Sequence, residues 1–304
     1  MRKLHTPCRS GQKRRWTDPH RVRLRPRGRG MIRKQPRRRK FPRAALMLLL
    51  LIVAGCTFAA WLTPYEVSVM DGQAISLAPC LAHPLGTDSL GRDLLAMLLY
   101  GGRLSLYIGL LSALLSSLLA LVYGAISGLA PGALDALLMR FCELLMSLPS
   151  LILVLFLQAV WGKPTPTSIA VVLALTSWMT LAKLVRSEVL VLKDSEFIQA
   201  ARVAGFSDAR ILFRHLLPNV ISSAVVFAAS DVVMCMLTGA SMSFLGLGAS
   251  PPTPEWGSIL NEGRNFITFA WWPTLFPGLF LAVSGVGFSL LGDGLTDFLR
   301  TKGR

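Results

Sequence analysis

A chain of 304 residues that is 53% hydrophobic and only 16% charged, with a mean hydropathy of +0.54, is too apolar for an ordinary soluble domain, in which about 25% of residues are charged. The formal net charge of +16 suggests a nucleic-acid partner until the charges are located: residues 1–43 hold 18 of the 32 Lys and Arg and a single acid, Asp18, while the other 261 residues hold 14 bases and 15 acids. The composition therefore excludes a uniformly basic soluble domain and points to a membrane-embedded body carrying one basic tail.

Residues 1–43 are rich in Arg and Pro and lack hydrophobic periodicity, so a disordered cytoplasmic tail is expected there. A polybasic arm for nucleic acid or anionic lipid is one reading. A positive-inside flank that holds the first helix in the cytosol is the better one, so membrane lipid is an expected partner and nucleic acid is not. Met31 offers a second start site immediately before the first apolar segment.

Ala44 to Thr63 is uncharged and long enough to cross hydrocarbon, which makes it the first predicted helix. Val53-Ala54-Gly55-Cys56 resembles a lipoprotein cleavage box, but the apolar run continues through Phe58 and Trp61 and further spans follow. Residues 64–97 are polar and punctuated by Pro and Gly, as an external loop should be. The second predicted span, Leu104 to Ala130, returns to a turn at Pro131-Gly132. A third spans Leu137 to Val160, with Arg140 and Glu143 placed to pair near its inner end.

Gly162 to Pro166 reads as an external turn, Ser168 to Leu184 as the fourth span, and 186–217 as a charged cytosolic stretch. Asn219 to Gly248 is the fifth span. Trp272 to Leu295 is the sixth. Lys183, Arg186, Lys193, Arg202, Arg210 and Arg214 cluster on one predicted side, while Glu66, Asp71, Asp88, Asp93, Glu255 and Glu262 lie on the other. The expected fold is therefore all-α: a polytopic membrane protein of six transmembrane helices over residues 44–300, with both termini cytoplasmic.

Within the second and fifth spans, Gly109, Ser112, Ala113, Ser116, Gly239, Ala240 and Ser241 let helices approach closely, within the chain or across a dimer. Cys8, Cys56, Cys80, Cys142 and Cys235 are scattered, as are His5, His20, His83 and His215, so neither disulfide nor zinc spacing is present. Asp231 falls mid-way along the fifth span, where an ionisable group costs about 2.5–3.5 kcal/mol, and such groups usually face an internal cavity. Asp231, Cys235 and Met242 are accordingly translocation-pathway candidates. Sulfur ligands suit a transition metal, and the carboxylate suits a peptide ammonium equally well.

The most informative stretch is Ser195–Asn219, SEFIQAARVAGFSDARILFRHLLPN. Asp194 or Ser195 can cap a first helix with Glu196 in its favourable first turn. Gly205 breaks it, and Ser207 can cap a second short helix that Pro218 ends. The pattern Gln199-Ala200-Ala201, Gly205, His215, Leu217-Pro218 resembles the EAA loop of bacterial ABC importer permeases, with Gln199 where Glu is usual and Glu196 one turn earlier.

Further blocks resemble the dipeptide, oligopeptide and nickel branch of that family. They are His83 to Asp93 (with Gly86, Thr87, Asp88, Gly91, Arg92 and Asp93), Ser243 to Gly248, Pro251 to Gly257, Phe276-Pro277-Gly278 and Leu291 to Leu295. The resemblance covers residues 44–300. It implies a permease, not an enzyme, that moves small peptides or nickel across the bacterial inner membrane. It further implies a second related permease, a periplasmic solute-binding protein and two ATP-binding subunits that hold the ATP and Mg. No cofactor is expected in this chain: Gly162-Lys163-Pro164-Thr165 lacks the upstream glycine and the Ser/Thr of a phosphate-binding loop. A stand-alone secondary transporter or channel is the alternative, but no two-fold repeat is visible.

Overall fold

The computed structural model describes residues 43–249 and 253–302, so the basic tail, apart from Arg43, and Pro251-Pro252 lie outside the described residues. These residues form helices and no strand. Apolar helix α1 (Arg43–Thr57) is followed, after a hitch at Phe58, by the single turn α2 (Ala59–Leu62). A long loop then leads to α3 (Leu94–Leu129), the axis of the bundle.

α3 begins at Leu94 rather than at the predicted Leu104. Asp93 sets the start: its carboxylate accepts the Ala96 N–H at 2.8 Å, which satisfies a backbone donor that the helix itself leaves open. The Gly101-Gly102 pair lies inside the helix as a point of close approach. A Cβ on Gly102 would stand 2.3 Å from Cys56 Sγ and 2.8 Å from the Trp256 ring. At the other end of α3, a Cβ on Gly124 would stand 2.4 Å from the Ala182 carbonyl oxygen, so α3 lies nearly backbone to backbone with α6 (Pro166–Lys193).

The third predicted span is corrected by the structure. Leu137 to Val160 is not one helix but two, α4 (Gly132–Met146) and α5 (Ser150–Trp161), meeting at 91°. Pro149 lies at the break, where it has no N–H to continue the ladder and its ring opposes the preceding turn. The fourth span is longer than predicted: Thr165 and Ser168 form a capping box that starts the helix at Pro166, and its other end runs on from Leu184 to Lys193.

The elbow comprises α7 (Glu196–Val203) and α8 (Asp208–Ile211), followed by a π-helical turn, Leu212–Leu216, and α9 (Leu217–Phe244). Pro218 does not end this stretch, contrary to expectation. Residues 208–244 run on as one apolar helix of 37 residues. The π turn explains the difference: the Leu217 N–H bonds to the Leu212 carbonyl, five residues back, so the helix widens immediately before the proline that cannot donate.

The predicted external loop contains α10 (Trp256–Gly263), and α11 (Trp272–Lys302) closes the bundle with Pro277 inside it. Among the described residues four helices are long and apolar enough to cross a membrane, or five when the α4–α5 pair counts as one broken span; α1 is a shorter apolar helix. One core cluster, at the α3 N-terminus, joins Leu94, Met97, Leu98, Trp256 and Trp272. Another, at the elbow, joins Val185, Val189, Ile198, Ile211 and Leu216. Most small residues of the second and fifth spans pack within the chain: Ser112 and Ser116 are fully buried, and a Cβ on Gly109 would meet Met236 at 2.3 Å, whereas Ser241 is exposed.

Candidate functional site

The elbow is built by a particular helix ending. α7 stops at Ala204, the Gly205 N–H bonds the Arg202 carbonyl at 2.9 Å, and the Phe206 N–H bonds the Ala201 carbonyl at 3.1 Å. This crossed pair satisfies two orphan carbonyls and requires a left-handed residue after the helix. Gly205 fills that place with φ +79°. The chain reverses and α8 restarts, where Ser207 Oγ accepts the Arg210 N–H. Ser195 is the N-cap residue of α7 but makes no side-chain cap bond.

Burial sorts the elbow residues by task. Ile198, Ala201, Ile211 and Leu216 are buried against the bundle. Glu196, Gln199, Ala200 and Gly205 are exposed, together with Phe197, Val203, Phe206 and Phe213. Gln199 turns back on its own segment, its Nε2 donating to the Asp194 carbonyl at 3.1 Å. His215 stacks on Phe206 at 5.9 Å between centroids, and the Arg210 guanidinium covers the Phe206 ring. Leu217 is half-buried and Pro218 exposed. The six sequence-predicted residues from Glu196 to His215 thus lie on one compact unit with an anchored face and an exposed, partly aromatic face. Leu217 and Pro218 begin the helix it feeds.

The Gly86–Asp93 segment is a buried brace at the opposite end of α3. Asp88 accepts the N–H groups of Leu90 and Arg92 and the Arg92 Nε at 2.6 Å, and Arg92 reaches on to Glu262 beside α10. Burial pulls the Arg92 pKa down, but Asp88 and Glu262 together outweigh it and hold the guanidinium above its ordinary value. The Thr87 carbonyl accepts the Trp272 indole N–H at 2.9 Å, and Asp93 accepts from His83 while capping α3. Gly91 has φ +74°, and a Cβ there would overlap the Asp71 carbonyl at 1.9 Å.

Asp231, Cys235 and Met242 all point into the protein, at 6%, 2% and 0% exposure. Ser116 donates to the Asp231 carboxylate at 3.0 Å, linking α9 to α3. Among the described residues no group of three His, Cys, Asp or Glu is placed to hold a metal ion. The Arg140–Glu143 pair forms at 3.3 Å on the surface, where it contributes little. Asp135 and Arg186 form a partly buried ion pair, bidentate at 2.6 and 2.5 Å, that ties α4 to α6. Sequence spacing could not expose it, because the partners are 51 residues apart. Glu255 was legible only as an external acid, yet it is the buried N-cap of α10, its N–H donating to Ser258 Oγ at 3.0 Å and its carboxylate accepting from Ser243 Oγ at 2.6 Å.

Comparison with known proteins agrees with this architecture. A family model described as the binding-protein-dependent transport system inner membrane component matches residues 120–302. The glutathione transport system permease protein of Pectobacterium atrosepticum is 40% identical over 260 residues, covering 85% of this chain and 86% of the relative. A putative peptide transport system permease protein of Brucella suis is 40% identical over 272 residues, covering 88% and 89%. The glutathione transport permease of an Escherichia coli strain is 39% identical over 260 residues and 85% of both chains.

Proposed function

The chain belongs to the inner membrane components of binding-protein-dependent transport systems, and from that membership we propose that its elbow couples separate ATPase subunits to a helical pathway for small peptides. It is a multi-pass inner-membrane permease subunit of an ABC importer. The finer assignment is six crossings with both termini in the cytosol, one related permease as partner, two ATP-binding subunits that hold ATP and Mg, and a periplasmic solute-binding protein.

One observation carries the coupling role. The elbow is fastened to the bundle through Ile198, Ala201, Ile211 and Leu216 and is continuous with the helix of residues 208–244. Force on α8 therefore enters a membrane-crossing helix without an intervening loop, and force on α7 reaches it through the turn at Gly205. ATP-driven closure of the partner subunits shifts the elbow, and the rigid helices exchange inward and outward openings. Small peptides are the substrate class because the similar permeases from Brucella and Pectobacterium are named for peptide and glutathione transport.

Affinity-tagged chain, purified from native membranes, should bring down an ATPase and a second permease. Reconstituted with the binding protein, the assembly should accumulate labelled di- and tripeptides only when ATP is supplied. A chain that purifies alone and carries peptide without ATP overturns the assignment in favour of a stand-alone transporter.

A further inference from the structure

At the end of α3 remote from the elbow, an open groove of about 710 Å³ lies beside the loop that follows α2. Its size falls in the range of about 300–1,000 Å³ that accommodates small organic ligands. Two opposite charges line it, Glu66 from the loop and Arg103 from α3. Tyr100 and Tyr107 flank Arg103 one turn before and after, and Val67 and Leu104 supply apolar wall.

The two charges do not neutralise each other. Arg103 uses Nε and Nη2 to bond the carbonyls of Cys56 and Thr57, at 2.6 and 2.8 Å, where α1 ends. Its plane lies over the Tyr100 ring, 4.9 Å from the centroid. The guanidinium is thus fixed in place with Nη1 unused and, among the described residues, no carboxylate within ion-pair distance. Among the described residues Glu66 has no ion-pair partner and no side-chain hydrogen bond. A preset cation and an unpaired anion sharing one groove fit a ligand that carries both charges, and a hydrated metal ion would leave Arg103 unmatched.

We propose that this groove is the permease's own receiving site for a zwitterionic small peptide, with Arg103 taking the α-carboxylate, Glu66 the α-ammonium group, and Tyr100 and Tyr107 flanking the side chains. The site deepens the peptide-importer reading and rests on it. Orientation is its purpose: a peptide handed over at the outer end of α3 enters the pathway with its termini already sorted by charge.

The test uses the complete importer in proteoliposomes with saturating binding protein, comparing a dipeptide that has free termini with its N-acetyl and C-amide forms. Glu66→Gln is the informative variant, because Glu66 lies exposed on a loop and holds no contact that folding needs. It should lower uptake of the free dipeptide about five- to tenfold and leave uptake of the N-acetyl form unchanged. Arg103→Lys, which retains a charge but loses the fork, should selectively weaken discrimination between free carboxylate and amide. If Glu66→Gln lowers uptake of all three equally, or of none, the site does not read the ammonium group and the proposal falls. A wild-type importer that transports none of the three overturns the peptide reading itself, and this site with it.

Discussion

Replacement of Gly205 isolates backbone geometry from side-chain bulk. A Cβ at this position would meet nothing within 4 Å, so no clash inside the chain opposes Gly205→Ala. The cost arises from φ +79°, where an L-residue loses roughly 1–2 kcal/mol relative to glycine. That lowers the population of the native elbow by about five- to thirtyfold against alternatives in which α7 ends differently. Gly205→Asn should cost less, since asparagine tolerates the left-handed region, and Gly205→Val should cost most. The assay is ATP-driven uptake by the reconstituted importer, read beside its ATPase rate and the amount of chain in the membrane. Uptake should fall in the order Gly, Asn, Ala, Val while the membrane level holds, because Ile198, Ala201, Ile211 and Leu216 still anchor the elbow. Full uptake by the valine variant would refute the reasoning. Asn and Val variants that fail equally would show that the partner surface rejects any side chain, and that conformation is not the cause.

Two other perturbations test the bundle. Burial pushes the Glu255 carboxyl from 4.5 up to about 7. Between these values the unfolded chain releases a proton that the folded chain retains, so folded stability falls as pH rises through the window, by about 3 kcal/mol in all. The thermal midpoint of the purified complex should be lower at pH 8 than at pH 5, and Glu255→Gln should shrink that difference; identical profiles would count against it. At Gly124, where α3 meets the Ala182 carbonyl, Gly124→Val forces two helix backbones apart and should cost about 1–3 kcal/mol or more. Loss of folded chain from the membrane is the expected readout, and normal levels would show that α3 and α6 separate freely.

What could be read in advance followed from local chemistry. Apolar runs located most of the bundle, because backbone in lipid must close its own hydrogen bonds. The elbow was legible down to Gly205 and Ser207, since a helix ending and a cap are decided within a few residues. Features that depend on remote partners were not legible. The start of α3 was not legible, since the close approach of Gly102 to Cys56 and Trp256 exists only in the folded bundle. Pro149 was passed over inside an apolar run, although its missing N–H was a signal in plain view. Pro218 misled in the opposite direction, because the π turn that accommodates it has no compositional mark. Asp135–Arg186 and Arg103 with the carbonyls of α1 join positions too far apart for spacing to reveal.

The uninterrupted helix from Asp208 to Phe244 also has a kinematic meaning. At 1.5 Å per residue it is a rod about 55 Å long. Rotation of such a rod by about 5° about its midpoint carries the two ends in opposite directions by about 2.4 Å each. One end is the elbow, and the other stands beside Ser243, which is bonded to Glu255. In the proposed coupling role the two ends of this helix move together, with no loop between them. The π turn at Leu212–Leu216, where the helix is already wider, is the place where its pitch departs from that of the rest of the rod.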